Sequence, residues 1–463
     1  MSSFTGLEIA LSGLRAQQIV QETIGQNVAN VNTPGYSRRE VRLVPRPPAD
    51  WLAITPQPGS GVLVAEIQRS TSLLLNQQIQ SEVSSRSYWQ TVYEGMAQVE
   101  NLLLEPGAYG IGALANDFWA SWHDLSIDPT NSAARARVRQ TGDFLATTIR
   151  RLYDEVVHFT AYLNEQVKVH ISRINALAAE VAALNRQIGQ AAGAALAGNA
   201  PNDLRDRRDM LLEELSRLAQ VRSFEENGGR VIVTLGGHIL VGEQDATKLL
   251  VEPDSQGQLQ PVWSDDSTAV VVREGALCGT LALRDWIGQQ ALSGLQTFAE
   301  QLIEAVNTLH EGGFTTDGRT DIPFFAGSGA QDIRISDAVA ADLAAIATAG
   351  QPDAPGDPSV ALQIAALERT PVAALGDTLG GFYAAYVAQI GLDVQRADQM
   401  ARSQDALVQY LELQRESLSG VSLDEEAVKM LGAQRAYQAA ARMITAVDEM
   451  LNHIINQMGL VGR

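Results

Sequence analysis

The sequence predicts a mainly α-helical protein with an inserted β-rich domain, in which a rod-like multi-helix bundle is built from both ends of the chain. Three observations support this fold class. Apolar residues recur at helical spacing at both termini, a central stretch keeps one a/d register from about residue 140, and the apolar period changes to two after residue 220. A central helix of roughly 50 residues would span about 75 Å and would need partners along its length.

The first element is an amphipathic helix that ends at a Pro-Gly turn. Pro34 disfavours helical geometry at Thr33 and removes a backbone donor. Pro34 and Gly35 fit the two central positions of a type II turn, and the alternation from Tyr36 to Leu43 predicts a strand. The candidate interaction residues of this element are Leu7, Leu11, Leu14, Ile24, Val28, Asn30, Asn32, Thr33, Pro34, Gly35 and Tyr36.

The last element is a second amphipathic helix. Ser422, followed three residues later by Glu425, forms a capping box at its start. Its apolar residues return in steps of three, four or seven, which is the narrow a/d seam of a coiled coil. We therefore expect the two chain ends to form a coiled-coil-like pair with each other, or with copies of themselves. The candidate interaction residues here are Met430, Tyr437, Ala441, Ile444, Leu451, Ile455 and Met458.

The segments between these ends alternate between helical and extended patterns. A proline-rich stretch leads to a short strand at 61–67, and helices are predicted at about 70–104 and 116–125 before the long helix. Glycine turns then separate β-rich runs at 231–235, 238–241, 249–252 and 269–272. Helical spacing returns at 292–309 and 390–418, with a short β piece at 333–335.

These patterns predict three domains. The paired terminal helices come from 1–33 and 425–463, and the helical bundle comes from 34–216, 280–311 and 360–424. The outer β-rich domain comes from 217–279 and 312–359.

One short stretch combines acidic and basic residues at helical spacing. Asp203, Asp206 and Asp209 lie on neighbouring helical turns, and the Asp-rich loop of an EF-hand is absent. The expected partners of these carboxylates are the neighbouring arginines of the same helix, which are Arg205, Arg207 and Arg208.

Composition and charge exclude several function classes. The chain has 463 residues, of which 45% are hydrophobic, and its formal net charge of -20 disfavours sequence-independent binding to nucleic acid or to anionic lipid. The densest basic run, Arg135, Arg137 and Arg139, is predicted to be a solvated helix face. The single cysteine, Cys278, rules out an intrachain disulfide. The N-terminus has no pattern of a cleaved signal peptide, and no apolar stretch reaches membrane-spanning length.

The sequence shows no catalytic or cofactor-binding motif. The six histidines are dispersed without a His-Glu-x-x-His pattern, and His170 falls on the seam of the long helix, where a core histidine is expected. Ser328 lacks the Gly-x-Ser-x-Gly frame of a nucleophile, and no P-loop is present. We therefore predict a protein that is not an enzyme and that has no cofactor and no metal site.

Five stretches resemble a known family. Residues 29–38, read as Ala-Asn-Val-Asn-Thr-Pro-Gly-Tyr-Ser-Arg, are similar to the N-terminal signature of flagellar rod, hook and hook-associated proteins. The hook-associated proteins of the hook–filament junction are resembled by the C-terminal stretches 419–426 and 434–439. They are also resembled by the run Asn-Asp-Leu-Arg-Asp-Arg-Arg-Asp-Met-Leu at 202–211 and by the segment at 306–313. The resemblance covers almost the whole chain.

The resemblance implies a structural subunit of the bacterial flagellum that assembles into the ring joining hook to filament. Its implied partners are copies of itself, the hook protein and a second hook-associated junction protein. It also implies an extracellular location reached through the type III export channel, without loss of a signal peptide. The exposed seam of the C-terminal helix further suggests an export chaperone as a partner. Neither nucleic acid nor membrane is an expected partner.

Three other interpretations are compatible with parts of the chain. A hook or distal rod subunit belongs to the same structural class, and the sequence Gly432–Arg435 is more similar to rod proteins. A cell-wall hydrolase would need a catalytic pair within 221–360, and a coiled-coil adhesin would leave the Pro34-Gly35 motif without a role. We also expect the terminal arms to be disordered or frayed in the free monomer and to become neighbours only inside the assembly. The reason is that ordering the backbone of about thirty residues costs on the order of 30 to 60 kcal/mol for each arm.

Overall fold

The computed structural model describes residues 2–47, 59–103, 105, 107, 109–194, 201–226, 228–255 and 257–456, without the side chains of 2–5, 192–194 and 454–456. The first half of the chain contains α1 (Ser2–Ala29), β1 (Arg39–Pro45), β2 (Val62–Arg69), α2 (Leu73–Leu103), α3 (Ile111–Ile127), α4 (Ser132–Ala194) and α5 (Asn202–Leu218). A run of short strands follows, namely β3 (Val221–Glu225), β4 (Val231–Leu235), β5 (His238–Val241), β6 (Leu249–Pro253) and β7 (Leu259–Trp263).

The second half returns to helices. It contains α6 (Ala276–Trp286), a π-helical segment (Ile287–Leu292), α7 (Ser293–Glu311), β8 (Phe325–Ala326), β9 (Arg334–Ile335), α8 (Asp337–Ala341), a 3-10 turn (Leu343–Ala345), α9 (Ser359–Ala366), α10 (Leu379–Ser419) and α11 (Leu423–Asn456). These elements confirm the predicted mainly α-helical fold class, and the strands form small antiparallel sheets.

The longest element is α4, which begins eight residues before the predicted start of the long helix. The side chain of Asn131 explains this earlier start, because its Oδ1 accepts hydrogen bonds from the amides of Ala133 (2.9 Å) and Ala134 (3.2 Å). With 63 residues, α4 is about 95 Å long. Its buried residues contact two different cores, one in each half of the helix.

The larger core lies between the first half of α4 and helices α2, α3, α7, α9 and α10. Its centre is aromatic, since Trp122 and Phe118 are fully buried and the Phe118 ring centroid lies 5.6 Å from that of Phe324. Leu145 and Ile149 of α4 and Leu302 of α7 complete this packing. The tight apolar packing explains why these helices form one bundle.

The segment that carries β8 and β9 belongs to this larger core. Phe325, Ile333 and Ile346 are buried with α3, α4 and α7. The stretches 217–279 and 312–359, which the sequence groups in one outer domain, therefore contribute most of their buried residues to different cores. The domain boundaries themselves stay a prediction.

Arg135 also anchors this segment, so the prediction of a solvated arginine face is wrong at this position. Arg135 is buried, and its Nη1 donates to the carbonyl oxygens of Ile346 (2.7 Å) and Leu343 (3.2 Å). Arg137 is exposed, as predicted, whereas Arg139 is half-buried.

The smaller core joins the second half of α4 to α5 and to the central strands. Strands β3, β4 and β5 form an antiparallel sheet, and Val231, Val233 and Leu240 pack beneath it against Ile174 and Leu215. A separate antiparallel hairpin is formed by β6 and β7. The predicted strand at 269–272 is not formed, because Ala269 makes only an isolated bridge to Val262.

The two terminal helices pair with each other inside one chain. A Cβ placed on Gly6 would lie 3.8 Å from Cγ2 of Val447, and one placed on Gly13 would lie 3.8 Å from Cβ of Ala440. Both contacts are separated by seven residues in each helix, so α1 and α11 are an antiparallel pair with heptad spacing. The expectation that the chain ends become neighbours only inside an assembly is therefore wrong for this structure.

Among the described residues, none of the helices combines the length and the apolar character needed to cross a membrane.

Candidate functional site

The chain leaves α1 through the predicted turn. The amide of Tyr36 donates to the carbonyl oxygen of Thr33 over 3.2 Å, and Gly35 has a φ of 77°, as a type II turn requires. Gly35 is covered by Met210 of α5, whose side chain would touch a Cβ at this position. Pro34 and Gly35 thus line a cleft of about 520 Å³ between the turn, α5 and the end of α10.

The amide of Asn27 lies at the centre of the site. Asn27 is 1% exposed, and its Nδ2 donates to Oε2 of Glu426 (2.9 Å) and to the carbonyl oxygen of Arg39 (3.0 Å). Its Oδ1 accepts from the hydroxyl of Tyr36 (2.8 Å) and from the amide of Arg39 (3.0 Å). Every hydrogen-bonding position of this buried amide is occupied, as buried polar groups require. One side chain therefore joins α1, the turn, β1 and α11.

The start of α11 is held from both sides. Glu426 is 1% exposed and accepts from Nζ of Lys429 over 3.2 Å as well as from Asn27. Glu425 accepts from Nη1 of Arg38 over 3.0 Å, and the amide of Arg38 donates to the carbonyl oxygen of Ser419 over 2.9 Å. The predicted helix start is confirmed, because the amide of Glu425 lies 3.4 Å from Oγ of Ser422. The carboxylate of Glu425, which in a complete capping box would accept from the amide of Ser422, accepts from Arg38 instead.

The first hairpin is tied to α5 by ion pairs. Arg69 Nη1 donates to Asp206 (3.0 Å) and to Asp209 (2.7 Å), while Arg39 donates to Asp203. Burial raises the pKa of the Asp206 carboxyl, and the hydrogen bond from Arg69 opposes this rise. The prediction that the arginines of the same helix pair with these carboxylates is wrong, because the antiparallel hairpin places Arg39 opposite Arg69 beside α5.

The structure brings many of the predicted interaction residues to the helix pair. Ile24 is buried, and Met430, Tyr437, Ala441, Ile444 and Leu451 are half-buried, as are Leu7, Leu14, Asn30 and Tyr36. Leu11, Val28, Asn32, Thr33, Pro34 and Gly35 are exposed. For Ile455 only the backbone is described, as part of α11, and Met458 lies outside the described residues.

Several buried residues of the pair are absent from the sequence-based candidates. They are Asn27, Glu426, Ala433 and Val447, together with Ala10, Ala16 and Thr23. Glu426, Ala433 and Val447 continue one heptad series with Ala440, so a search for period-seven positions that allowed small and polar residues would have found them.

A second apolar face runs along α11 away from α1. Val428, Leu431, Met443 and Met450 are exposed large apolar residues. A groove along this face is lined by Arg435, Gln438, Ala439, Arg442, Met443 and Ala446. Helix α11 thus has apolar residues on two sides, and only one of these sides packs against α1.

The buried histidine of the large core has a structural role. The Nδ1 of His310 lies 2.6 Å from the carbonyl oxygen of Ile322, and the amide of Ala347 donates to its Nε2 over 2.9 Å. Burial lowers the pKa of His310 to about 4. A neutral ring with both nitrogens bonded explains why the 312–350 segment closes over α7.

Among the described residues, one group of side chains has metal-ligand geometry. His238, Asp265 and Asp266 place ligand atoms within 4.8 Å of one another. Both aspartates are exposed, and Asp266 accepts hydrogen bonds from the amide and the hydroxyl of Thr268. We interpret this group as a surface His-Asp contact and assign no metal to it.

Three family models match separate parts of this chain. The helical domain of flagellar hook-associated protein FlgK matches residues 96–325, the C-terminal domain of flagellar basal body rod FlgEFG proteins matches 413–458, and the flagella basal body rod protein model matches 7–36. The terminal models cover most of the paired helices and the turn, and the central model covers the chain from the end of α2 to β8. Together they define a protein of the flagellar axial class.

Individual relatives identify the family within that class. The chain is 28% identical to flagellar hook-associated protein 1 of Bacillus subtilis over 508 aligned positions, which cover 100% of both chains. It is 27% identical to the protein of that name from Salmonella typhimurium, over 68% of this chain and 58% of the relative. Over its whole length the chain is therefore similar to proteins named flagellar hook-associated protein 1.

A solved structure supports the fold. The flagellar hook junction protein FlgK from Burkholderia pseudomallei superposes with a TM-score of 0.64 at 15% identity, covering 74% of this chain and 100% of that one. The sequence-based predictions of the family and of a structural subunit of the hook–filament junction are confirmed.

Proposed function

We propose that this subunit self-assembles into the junction ring through the second apolar face of α11. The observation that carries this proposal is the arrangement of α11, which packs one face against α1 and leaves Val428, Leu431, Met443 and Met450 exposed on the other. Large exposed apolar residues aligned along one helix mark an interaction surface. In a tube of identical subunits, this face would pack against the terminal pair of the neighbouring copy.

The partners of the ring follow from the same proposal. The hook protein would lie below and the second hook-associated junction protein above, with an export chaperone covering the face of α11 before assembly. The location would be the extracellular part of the flagellum, reached without a cleaved signal peptide. The role is structural and not enzymatic, which is supported by the neutral, doubly bonded His310 in the region where a hydrolase would need a catalytic pair.

Matched substitutions test the interface. Leu431→Asp and Met443→Asp change the second face, whereas Val169→Asp changes a residue of α4; all three side chains are 56% exposed. In cells that lack the native subunit, we expect the first two variants to fail to join hook to filament, and the α4 variant to assemble. Normal junctions in the double variant Leu431→Asp/Met443→Asp would contradict the proposal.

Deletion of residues 1–33 or 425–463 gives a coarser test. We expect either deletion to abolish incorporation and to leave the bundle folded, because neither large core contains any of the described side chains of α1 or α11. Circular dichroism of the truncated proteins would establish folding, and immuno-electron microscopy of hooks would establish incorporation. A truncated protein that still assembled would refute the assignment of roles.

A further inference from the structure

The seam between α1 and α11 does not define its own register. Gly6 faces Val447 and Gly13 faces Ala440, so each helix offers a small or apolar residue every seven positions. A shift by one heptad would place Gly13 against Val447, which repeats the same kind of contact. Coiled-coil pairs with uniform apolar seams are prone to such alternatives, and a single buried polar residue is a known means of choosing among them.

A buried polar contact inside the seam joins Asn27 to Glu426. It lies fourteen residues beyond the Gly13–Ala440 contact in both helices and therefore has the same register. Both side chains are 1% exposed. A shift by one heptad would bring either Ala433 opposite Asn27 or Val20 opposite Glu426. Either shift would break the hydrogen bond between the buried amide of Asn27 and the buried carboxylate of Glu426. Burying a polar group without its hydrogen-bond partner destabilises the folded chain.

This contact also ties the register to the rest of the molecule. The same amide group binds the hydroxyl of Tyr36 and the backbone of Arg39, where the chain enters β1. Outside the seam, Arg38 binds Glu425 and Lys429 binds Glu40 at 3.3 Å, and both contacts join β1 or its start to the first turns of α11. A shifted α11 would lose all of these contacts together.

We propose that Asn27 and Glu426 are positioning residues that select one register of the intrachain α1–α11 pair. Their role is to make every copy of the chain project its terminal helices by the same length from the bundle. This inference depends on the geometry of a single chain, so it can fail or succeed independently of the junction role.

Disulfide trapping reads the register directly. In a Cys278→Ala background, Gly13→Cys with Ala440→Cys reports the register of the structure, and Gly13→Cys with Val447→Cys reports the register shifted by one heptad. The 3.8 Å between the two Cβ positions of the first pair suits a disulfide. The purified full-length chain would be oxidised at low concentration, and the intramolecular disulfide would be quantified by mass spectrometry.

With Asn27 and Glu426 in place, we expect only the first reporter pair to form a disulfide. In the double variant Asn27→Leu/Glu426→Leu, we expect the second pair to form a disulfide as well. Its yield should be about tenfold higher than in the native chain, because the loss of one buried hydrogen bond changes an equilibrium constant by about this factor. Gln18→Leu, which changes an exposed side chain of α1, should leave the pattern of the native chain unchanged.

A conservative variant separates register selection from general stability. Glu426→Gln keeps an oxygen that accepts from Asn27, so the native register should persist even if the helix pair is weakened. Circular dichroism would confirm that each variant remains helical, and Glu426→Leu alone replaces the double variant if that one does not fold. A second reporter pair that never forms in the leucine variants, or that already forms in the native chain, would overturn the proposal.

Discussion

Tyr36 donates its hydroxyl to Oδ1 of Asn27 over 2.8 Å, so the residue that ends the Pro-Gly turn is bonded to the last turns of the helix before it. Tyr36→Phe removes this hydrogen bond and keeps the ring, which lies 4.9 Å from the guanidinium carbon of Arg39. We expect the free energy of unfolding to fall by about 1 kcal/mol. Urea denaturation followed by circular dichroism would measure the change.

Tyr410 provides the matched control for this substitution. Its side chain is 64% exposed on α10, so Tyr410→Phe should leave the unfolding midpoint unchanged. Equal effects of the two substitutions would show that the Tyr36–Asn27 hydrogen bond does not stabilise the folded chain.

The second prediction concerns the ion pairs beneath the hairpin. Arg69→Met removes the donor that binds Asp206 and Asp209 and leaves the buried carboxylate of Asp206 with Arg39 at 3.5 Å. We expect a loss of about 3 kcal/mol at neutral pH, because a buried carboxylate without its partner is costly. The loss should shrink on acidification, since the substitution raises the pKa of Asp206 further and protonation removes the buried charge.

Arg42→Met is the corresponding control on the same hairpin. Arg42 and Glu66 form an ion pair of 3.2 Å between largely exposed side chains, and such pairs contribute less than about 1 kcal/mol. Chemical denaturation of both variants at neutral and acidic pH gives the comparison. A larger loss in the Arg42 variant would contradict the argument from burial.

Local features of this fold could be predicted from the sequence, because they depend on neighbouring residues. Pro34 and Gly35 define their turn by their own backbone preferences, and Ser422 defines the start of α11. The contact between Asn27 and Glu426 could not be predicted in this way, since the two residues are 399 positions apart. Nothing in the period of either helix shows which polar residue of the other end it will meet.

Arg135 and Arg69 show the same limit for charged side chains. In the sequence, Arg135 is one of three arginines at alternate positions, and only the carbonyl groups of the 343–346 segment make it a buried residue. Arg69 lies 137 residues before Asp206, so the nearer arginines of α5 were the natural expectation. In both cases tertiary packing of a distant segment, and not local spacing, determines the partner.

The third prediction separates two reasons for glycine at position 35. Gly35→Ala meets a positive φ of 77° and the side chain of Met210, whereas Gly376→Ala meets a positive φ of 66° and open space. The backbone term alone costs about 1 kcal/mol at either site. We therefore expect Gly35→Ala to lower the unfolding free energy more than Gly376→Ala does.

A double-mutant cycle with Met210→Ala isolates the contact. If Met210 causes the extra loss, Gly35→Ala should cost about 1 kcal/mol in the Met210→Ala background, as it does at position 376. An unchanged cost in that background would assign the whole effect to the backbone.

The last prediction is a pH dependence that arises from His310. Its pKa is lowered from 6.5 to about 4 in the folded chain, because burial disfavours the charged ring. As the pH falls from 6.5 towards 4, the unfolded chain takes up a proton that the folded chain does not, so stability is lost over this window. The loss should reach about 3 kcal/mol.

Two histidine substitutions test this pH dependence. His310→Gln should be less stable than the native chain at neutral pH, but it should not lose this further stability as the pH falls. His123→Gln, at an exposed position, should lose stability over the window as the native chain does. Unfolding free energies measured across the window for the three proteins give the test, and parallel curves for the native chain and His310→Gln would contradict it.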